Sequence, residues 1–183
     1  MKHLVSAILM LALGALAFGQ RVTSLEPTLT LLAHPGGHGA VVFFIATDCP
    51  ASNTYSKEIE RIVTRYSPKG FAFRIAYEDL GATNLVMLRH AHQYGHTACP
   101  IVSDSRHLIS KKLGATVTPE VCVLDSKGAV RYLGRIDDLF AFIGVQRVHP
   151  SQHDLENALD AVLLHKPVPN PVTKPVGCFI PQN

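Results

Sequence analysis

The run Val41-Val42-Phe43-Phe44-Ile45-Ala46 constrains the fold most. It is apolar, rich in Val, Ile and Phe, and shows no polar alternation, the pattern of a strand buried on both faces of a helix-covered sheet. From Tyr55 onward the apolar residues fall at Tyr55, Ile59, Ile62, Val63 and Tyr66. Those steps of four, three, one and three lie on one helical stripe. Ser67-Pro68-Lys69-Gly70 stops the helix. Phe71-Ala72-Phe73-Arg74-Ile75-Ala76-Tyr77 then reads as a second strand, nearly continuous in its apolar residues. Strand, helix and strand in succession imply a parallel pair with a right-handed crossover.

Upstream, Thr28–Leu32 is a short strand candidate, separated from the buried strand by the breaker Pro35-Gly36-Gly37-His38-Gly39. Downstream, the pattern predicts a helix over Thr83–Tyr94, a short strand at Pro100-Ile101-Val102 and a helix over Ser105–Leu113 ending at Gly114. Thr118–Leu124 and Ala129–Arg135, joined by Asp125-Ser126-Lys127-Gly128, form a β-hairpin. Ser151 with Asp154 three residues later resembles a capping box. The helix it opens buries Leu155, Ala158, Leu159, Val162 and Leu163. From Pro167 the chain carries five prolines and Cys178. Such a tail is neither helix nor central strand and is expected to wrap the surface in extended form.

Met1 to Gln20 has a short basic start, an apolar run from Leu4 to Phe18, and small residues at Ala15, Ala17 and Gly19. This is the pattern of a secretory signal peptide, and the run is shorter than the ~20 residues of a spanning helix. The expected organisation is a signal peptide over 1–19, one domain over 20–166 and a proline-rich tail over 167–183, in a secreted or periplasmic protein with no membrane association after cleavage. A net charge of +3 with scattered Lys and Arg leaves no electrostatic footprint for nucleic acid. Oligomeric state is not encoded legibly. Cys49, Cys99, Cys122 and Cys178 belong to a compartment where disulfides persist, and four cysteines allow three full pairings.

Cys49 stands where the buried strand gives way to a helix, with Ser52-Asn53 supplying helix-start chemistry. A free cysteine is ordinarily a small core residue. At a helix N-terminus, however, unspent backbone N–H groups and the dipole favour the thiolate. In an α/β sheet reactive groups gather at the carboxyl ends of parallel strands, which is where Cys49 and Glu78-Asp79 fall. The carboxylates Glu78, Asp79 and Glu120 are read as loop caps rather than catalytic groups. Cys122 alternates into the core, and Cys99 lies at the amino end of its strand, away from Cys49.

The ordered set Asp48-Cys49-Pro50-Ala51-Ser52-Asn53, Val117-Thr118-Pro119-Glu120-Val121-Cys122-Val123-Leu124-Asp125 and Gly134-Arg135-Ile136-Asp137-Asp138 resembles the thioredoxin superfamily. The likeness is to its secreted redoxin branch, in the alkyl hydroperoxide reductase and thiol-specific antioxidant group. It implies an α/β fold: a central mixed sheet flanked by helices, followed here by the extended proline-rich tail. It further implies a thiol-dependent oxidoreductase in which the Cys49 thiolate attacks a disulfide or peroxide. The partner is a separate thiol reductant or a disulfide-bearing protein. A cis Thr118-Pro119 peptide is expected to place backbone beside the sulfur, and Arg135, if turned inward, to stabilise a thiolate or leaving oxygen.

Two departures set this chain apart from better-known relatives. Ser52 replaces the second cysteine of a Cys-x-x-Cys motif, so Cys49 has no resolving thiol within it. Val42 and Ala46 occupy the positions where a peroxiredoxin carries Pro and Thr, and Thr47 is one place off. A similar Gly-Cys tail motif accompanies the Cys-Pro-x-Ser-Asn motif in the redoxins this chain resembles. Cys178, in Val176-Gly177-Cys178-Phe179-Ile180, is therefore expected either to pair with Cys49, as resolving thiol or redox-labile clamp, or to form a stable tail-anchoring disulfide with any partner.

No organic cofactor is implied, because Gly36-Gly37-His38-Gly39 precedes a strand and reads as a turn. His92 and His96 share a helical face, but two ligands do not complete a metal site, and His90, His92 and His96 are read as solvated. Two rival functions stay open. One is a copper-binding thioredoxin-fold protein, weakened by the single thiolate in the motif; the other is a non-catalytic partner-binding redoxin domain.

Overall fold

The computed structural model describes residues 22–23 and 37–181. The signal segment and the strand anticipated at 28–32 lie outside the described residues. The strands and helices are β1 (Val22–Thr23), β2 (Gly39–Ile45), α1 (Pro50–Thr54), α2 (Ser56–Tyr66), β3 (Phe71–Tyr77), α3 (Asn84–Gln93), β4 (Ile101–Ser103) and α4 (Leu108–Leu113). There follow β5 (Val117–Thr118), β6 (Glu120–Asp125), β7 (Val130–Gly134), β8 (Phe140–Phe142), β9 (Val145–Gln146), α5 (Asp154–Leu163) and β10 (Cys178–Phe179).

Six strands form one mixed sheet in the order β1-β4-β3-β2-β6-β7. β1, β4, β3 and β2 run parallel, while β6 and β7 are antiparallel to their neighbours. Central β2 has helical layers over both faces. Val41, Phe43 and Ile45 point into the larger core, with Ile59, Ile62, Val63 and Tyr66 of α2 and Leu155, Ala158, Leu159 and Val162 of α5. Ala40, Val42 and Phe44 point the other way, toward Ile109 and Leu113 of α4 and Ile180 of the tail. A period of two thus explains why the run carries no polar residue. Each of its fully buried large side chains contributes about 1.5–3 kcal/mol. Gly70, at φ 88°, ends the turn after α2 in the left-handed conformation.

Several boundaries differ from the sequence expectation. α4 begins at Leu108 rather than Ser105 because the Asp104 carboxylate accepts from the backbone N–H groups of Leu108, Ile109 and Ser110 at 2.8–3.1 Å, anchoring the first turn there. The capping box at Ser151 does not form. Its hydroxyl and N–H both donate to Asp138, at 2.6 Å each, and α5 starts after His153 with no side-chain cap. The β8–β9 hairpin was not anticipated. Within the tail, Val172 bridges Leu133 of β7, and β10 pairs with β5. Among the described residues no helix is long and apolar enough to cross a membrane.

Candidate active site

β2 ends at Ile45, and the chain turns through Ala46–Asp48 into α1. Asp79, just past the end of β3, fixes this turn by accepting from Thr47 N at 2.9 Å and Thr47 Oγ1 at 2.5 Å. Cys49 occupies the N-cap position with Pro50 at the first helical residue, so α1 opens at Pro50 rather than at Ser52-Asn53. The Cys49 side chain has no exposed surface.

Across from it lies the loop between β5 and β6, where the Thr118-Pro119 peptide is cis. The Cys49 thiol donates to the Thr118 carbonyl at 3.1 Å. The tail completes the enclosure. β10 pairs antiparallel with β5, placing Cys178 opposite Thr118 and beside Cys49, whose pKa it lowers. Gly177 makes this approach possible, since a Cβ there would sit 1.9 Å from the Thr118 carbonyl oxygen.

The strap is held on both sides of Cys178 without any covalent link. Before it, Thr173 N donates to Leu133 O at 3.1 Å, and Thr173 Oγ1 accepts from Arg135 N at 3.1 Å. After it, Ile180 N donates to Thr116 O at 2.9 Å, and the Ile180 side chain is buried in the smaller core.

Burial alone raises the Cys49 pKa, as it does for any thiol taken out of water. Hydrogen bonds from Cys178, the Ser52 and Thr118 side chains and the Ser52 backbone outweigh it, so the net shift is downward. The Thr118 carbonyl acts in the opposite sense, since it can accept only from the neutral thiol. The thiolate is therefore stabilised by donors on the helix and strap sides. Ser52 Oγ is fully buried with no hydrogen-bond partner of its own, so its hydroxyl is available to the Cys49 thiolate, whose pKa it lowers. Sequence reasoning treated Ser52 as a missing cysteine; its place three residues after Cys49, on the same face of the first turn, is the signal for its role as a donor.

The other thiols move the other way. Burial pushes Cys99 and Cys122 up to about 12. Cys178 is also pushed up to about 12, by desolvation of its sulfur and by its bond to Cys49. Cys99 lies in the larger core and Cys122 in the smaller one, so neither reaches Cys49.

Arg135 is a correction. Its guanidinium turns to Asp154 at the start of α5, with Nε to Oδ2 at 2.7 Å, because that buried carboxylate needs a partner. The donors acting on Cys49 come from Ser52, Thr118 and Cys178 instead.

The histidine cluster is a second correction, since of His90, His92 and His96 only His92 is exposed. His90 Nε2 meets Asn53 Oδ1 at 2.8 Å, and His90 Nδ1 meets the Tyr77 hydroxyl at 2.9 Å. A neutral imidazole satisfies both by donating to the amide and accepting from the phenol. Burial lowers its pKa accordingly. His96 is 2% exposed and stacks near His90, and burial pushes its pKa down to about 4. Asn53 thereby ties the cysteine-bearing helix to α3.

Glu78 is more than a loop cap. It is 4% exposed, accepts from Ser110 Oγ at 2.9 Å, and meets His107 Nδ1 at 2.8 Å. Burial and the neighbouring Asp104 carboxylate push its pKa up to about 9. Asp79 and Glu120 do serve as caps, Glu120 accepting from Thr116 N at 2.7 Å.

Two of the cavities beside the strap open onto Cys178. One, of about 460 Å³, is walled mainly by apolar groups, among them Pro50, Phe140, Ile143, Val176 and Phe179. The other, of about 370 Å³, is lined by Asp48, Glu78, Asp79 and Thr118.

Residues 17–139 match the Redoxin family. The chain belongs to that family. No curated protein matches it. Among solved structures, this redoxin is similar to an uncharacterized conserved protein from Geobacillus kaustophilus, at 26% identity and a TM-score of 0.68, over 79% of this chain and 77% of the other. A hypothetical protein from Sinorhizobium meliloti is 24% identical with a TM-score of 0.70, over 83% of this chain and 82% of that one. A secreted Mycobacterium tuberculosis disulfide oxidoreductase matches at 15% identity and a TM-score of 0.50, over 70% of this chain and 84% of that one. The last two likenesses concern the fold alone. The fold is thioredoxin-like, with a central mixed sheet between helices.

Proposed function

We propose that this redoxin is an extracytoplasmic thiol oxidoreductase cycling Cys49 and Cys178 between dithiol and disulfide. The observation that carries this reading is the juxtaposition of the two thiols: Cys178 pairs opposite Thr118, whose carbonyl accepts from Cys49 at 3.1 Å. The Cys49 thiolate attacks a disulfide or a peroxide. With a disulfide it bonds to one sulfur and expels the other as thiolate; with a peroxide it takes one oxygen as a sulfenic acid and releases water or an alcohol. Cys178 then attacks the Cys49 sulfur, closes the Cys49–Cys178 disulfide, and displaces the bound thiolate or water. A separate dithiol restores both thiols. Thr118 and Pro119 line the approach, and Arg135 braces the strap through its N–H to Thr173. Residues 1–19 act as the export signal, 20–166 as the redoxin domain and 167–183 as the tail carrying Cys178.

Disulfide mapping of the peroxide-treated mature protein tests this. A Cys49–Cys178 peptide is expected; a Cys99–Cys178 link would remove Cys178 from the cycle. A second reading, copper(I) binding, rests on the same pair, since Cys178 supplies the second thiolate that the motif lacks. Stoichiometric copper(I) binding by the reduced protein that is lost in both Cys49→Ser and Cys178→Ser would favour it.

A further inference from the structure

Cys49 and Cys178 share a bond but not an approach. Cys49 has no exposed surface, and it lines neither of the two cavities that open onto Cys178. Cys178 is exposed and lines both. A nucleophile arriving at a disulfide between them therefore meets the Cys178 sulfur first.

Resting on the dithiol cycle proposed above, we infer that the reductant attacks Cys178, so that the mixed disulfide with the electron donor forms on the tail and Cys49 is the leaving group. The donor thiolate bonds to Cys178 Sγ, the Cys49–Cys178 bond breaks, and its electron pair departs on Cys49 as thiolate. The donor's second thiolate then attacks its own mixed-disulfide sulfur and expels Cys178, which takes a proton from water. Two electrons pass from a dithiol, left as a disulfide, to the Cys49–Cys178 pair.

Leaving-group chemistry favours the same regiochemistry. A sulfur departs faster where its negative charge is met by donors, and the donors on the helix side of Cys49 remain when Cys178 is held in the mixed disulfide. Ser52 and Thr118 are already placed as donors to the departing sulfur. Expelling Cys178 instead would release a thiolate that no hydrogen bond stabilises, and would require attack on a sulfur with no exposed surface. The roles in the reductive half therefore divide: Cys178 receives the donor, and Cys49 leaves.

The experiment uses the oxidised mature wild-type protein. It is treated briefly with limiting 2-mercaptoethanol, quenched in acid, blocked with N-ethylmaleimide and mapped by mass spectrometry. The expected result is the mercaptoethanol adduct on Cys178 and maleimide on Cys49, in at least tenfold excess over the reverse arrangement. Adduct on Cys49, or an even split, overturns the inference while leaving the dithiol cycle standing. Absence of a Cys49–Cys178 peptide before the thiol is added overturns both.

Discussion

Cys49 and Cys122 are equally buried, each without exposed surface, yet their acidities move in opposite directions. Cys122 lies in the middle of β6, paired with Val42 on one side and Leu133 on the other. Every backbone N–H there is committed to the ladder, and nothing offsets desolvation. Cys49 lies just past a strand end, where a helix begins and its first N–H groups are unspent. There the Ser52 N–H and hydroxyl, the Thr118 hydroxyl and the Cys178 thiol all serve the sulfur. Burial alone gives an inert thiol; burial beside unspent donors gives a nucleophile.

The largest contrast should appear in activity. Cys49→Ser should slow thiol–disulfide exchange about 100-fold or more, measured as disulfide reduction by the mature protein. Cys122→Ala should leave that rate within about twofold and cost about 1 kcal/mol in urea denaturation, the worth of a small buried group. Equal losses in the two variants would break the comparison.

Glu78 extends the contrast to a carboxyl, since burial pushes it up to about 9 from 4.5. Held neutral in the fold, it stabilises fully below pH 4.5, and that contribution is lost as pH rises toward 9. Glu78→Gln should remove the slope, leaving the variant less sensitive than the wild type by about 4 kcal/mol in urea unfolding between pH 5 and pH 8. Parallel pH profiles would mean that Glu78 is already ionised in the fold.

Smaller effects test individual donors. Ser52→Ala removes a hydrogen bond to the thiolate, so the pH midpoint for Cys49 alkylation should move up, slowing the reaction about tenfold at neutral pH. Asn53→Ala should cost about 1 kcal/mol by cutting the tie to His90, with little change in exchange rate. Smallest of all, Arg135→Gln should leave the alkylation midpoint where it is. A clear upward shift would restore Arg135 to the sulfur.

Local patterns in this chain were legible because periodicity reports burial directly. The bounds of β3, the stripe of α2 and the buried face of α5 follow from apolar spacing alone. The position of Cys49 at a strand end was legible for the same reason. Pairings between distant segments were not. Arg135 finds Asp154, Ser151 finds Asp138, and His90 is enclosed by Asn53 and Tyr77. Each choice depends on which segments the sheet order brings together, and no local pattern carries it. The β8–β9 hairpin escaped notice because its apolar residues are largely exposed: Phe142 is 63% and Ile143 74% accessible, so they obey no burial period.

Gly177 and Phe179 stand two residues apart on the strap and face opposite demands. A single added carbon at 177 would collide with the Thr118 carbonyl, whereas Phe179 is 83% exposed. A saturation library across the tail should therefore be barren at 177 and permissive at 179. Position 179 is accordingly the place for a fluorophore or crosslinker that reports on the dithiol without disturbing it.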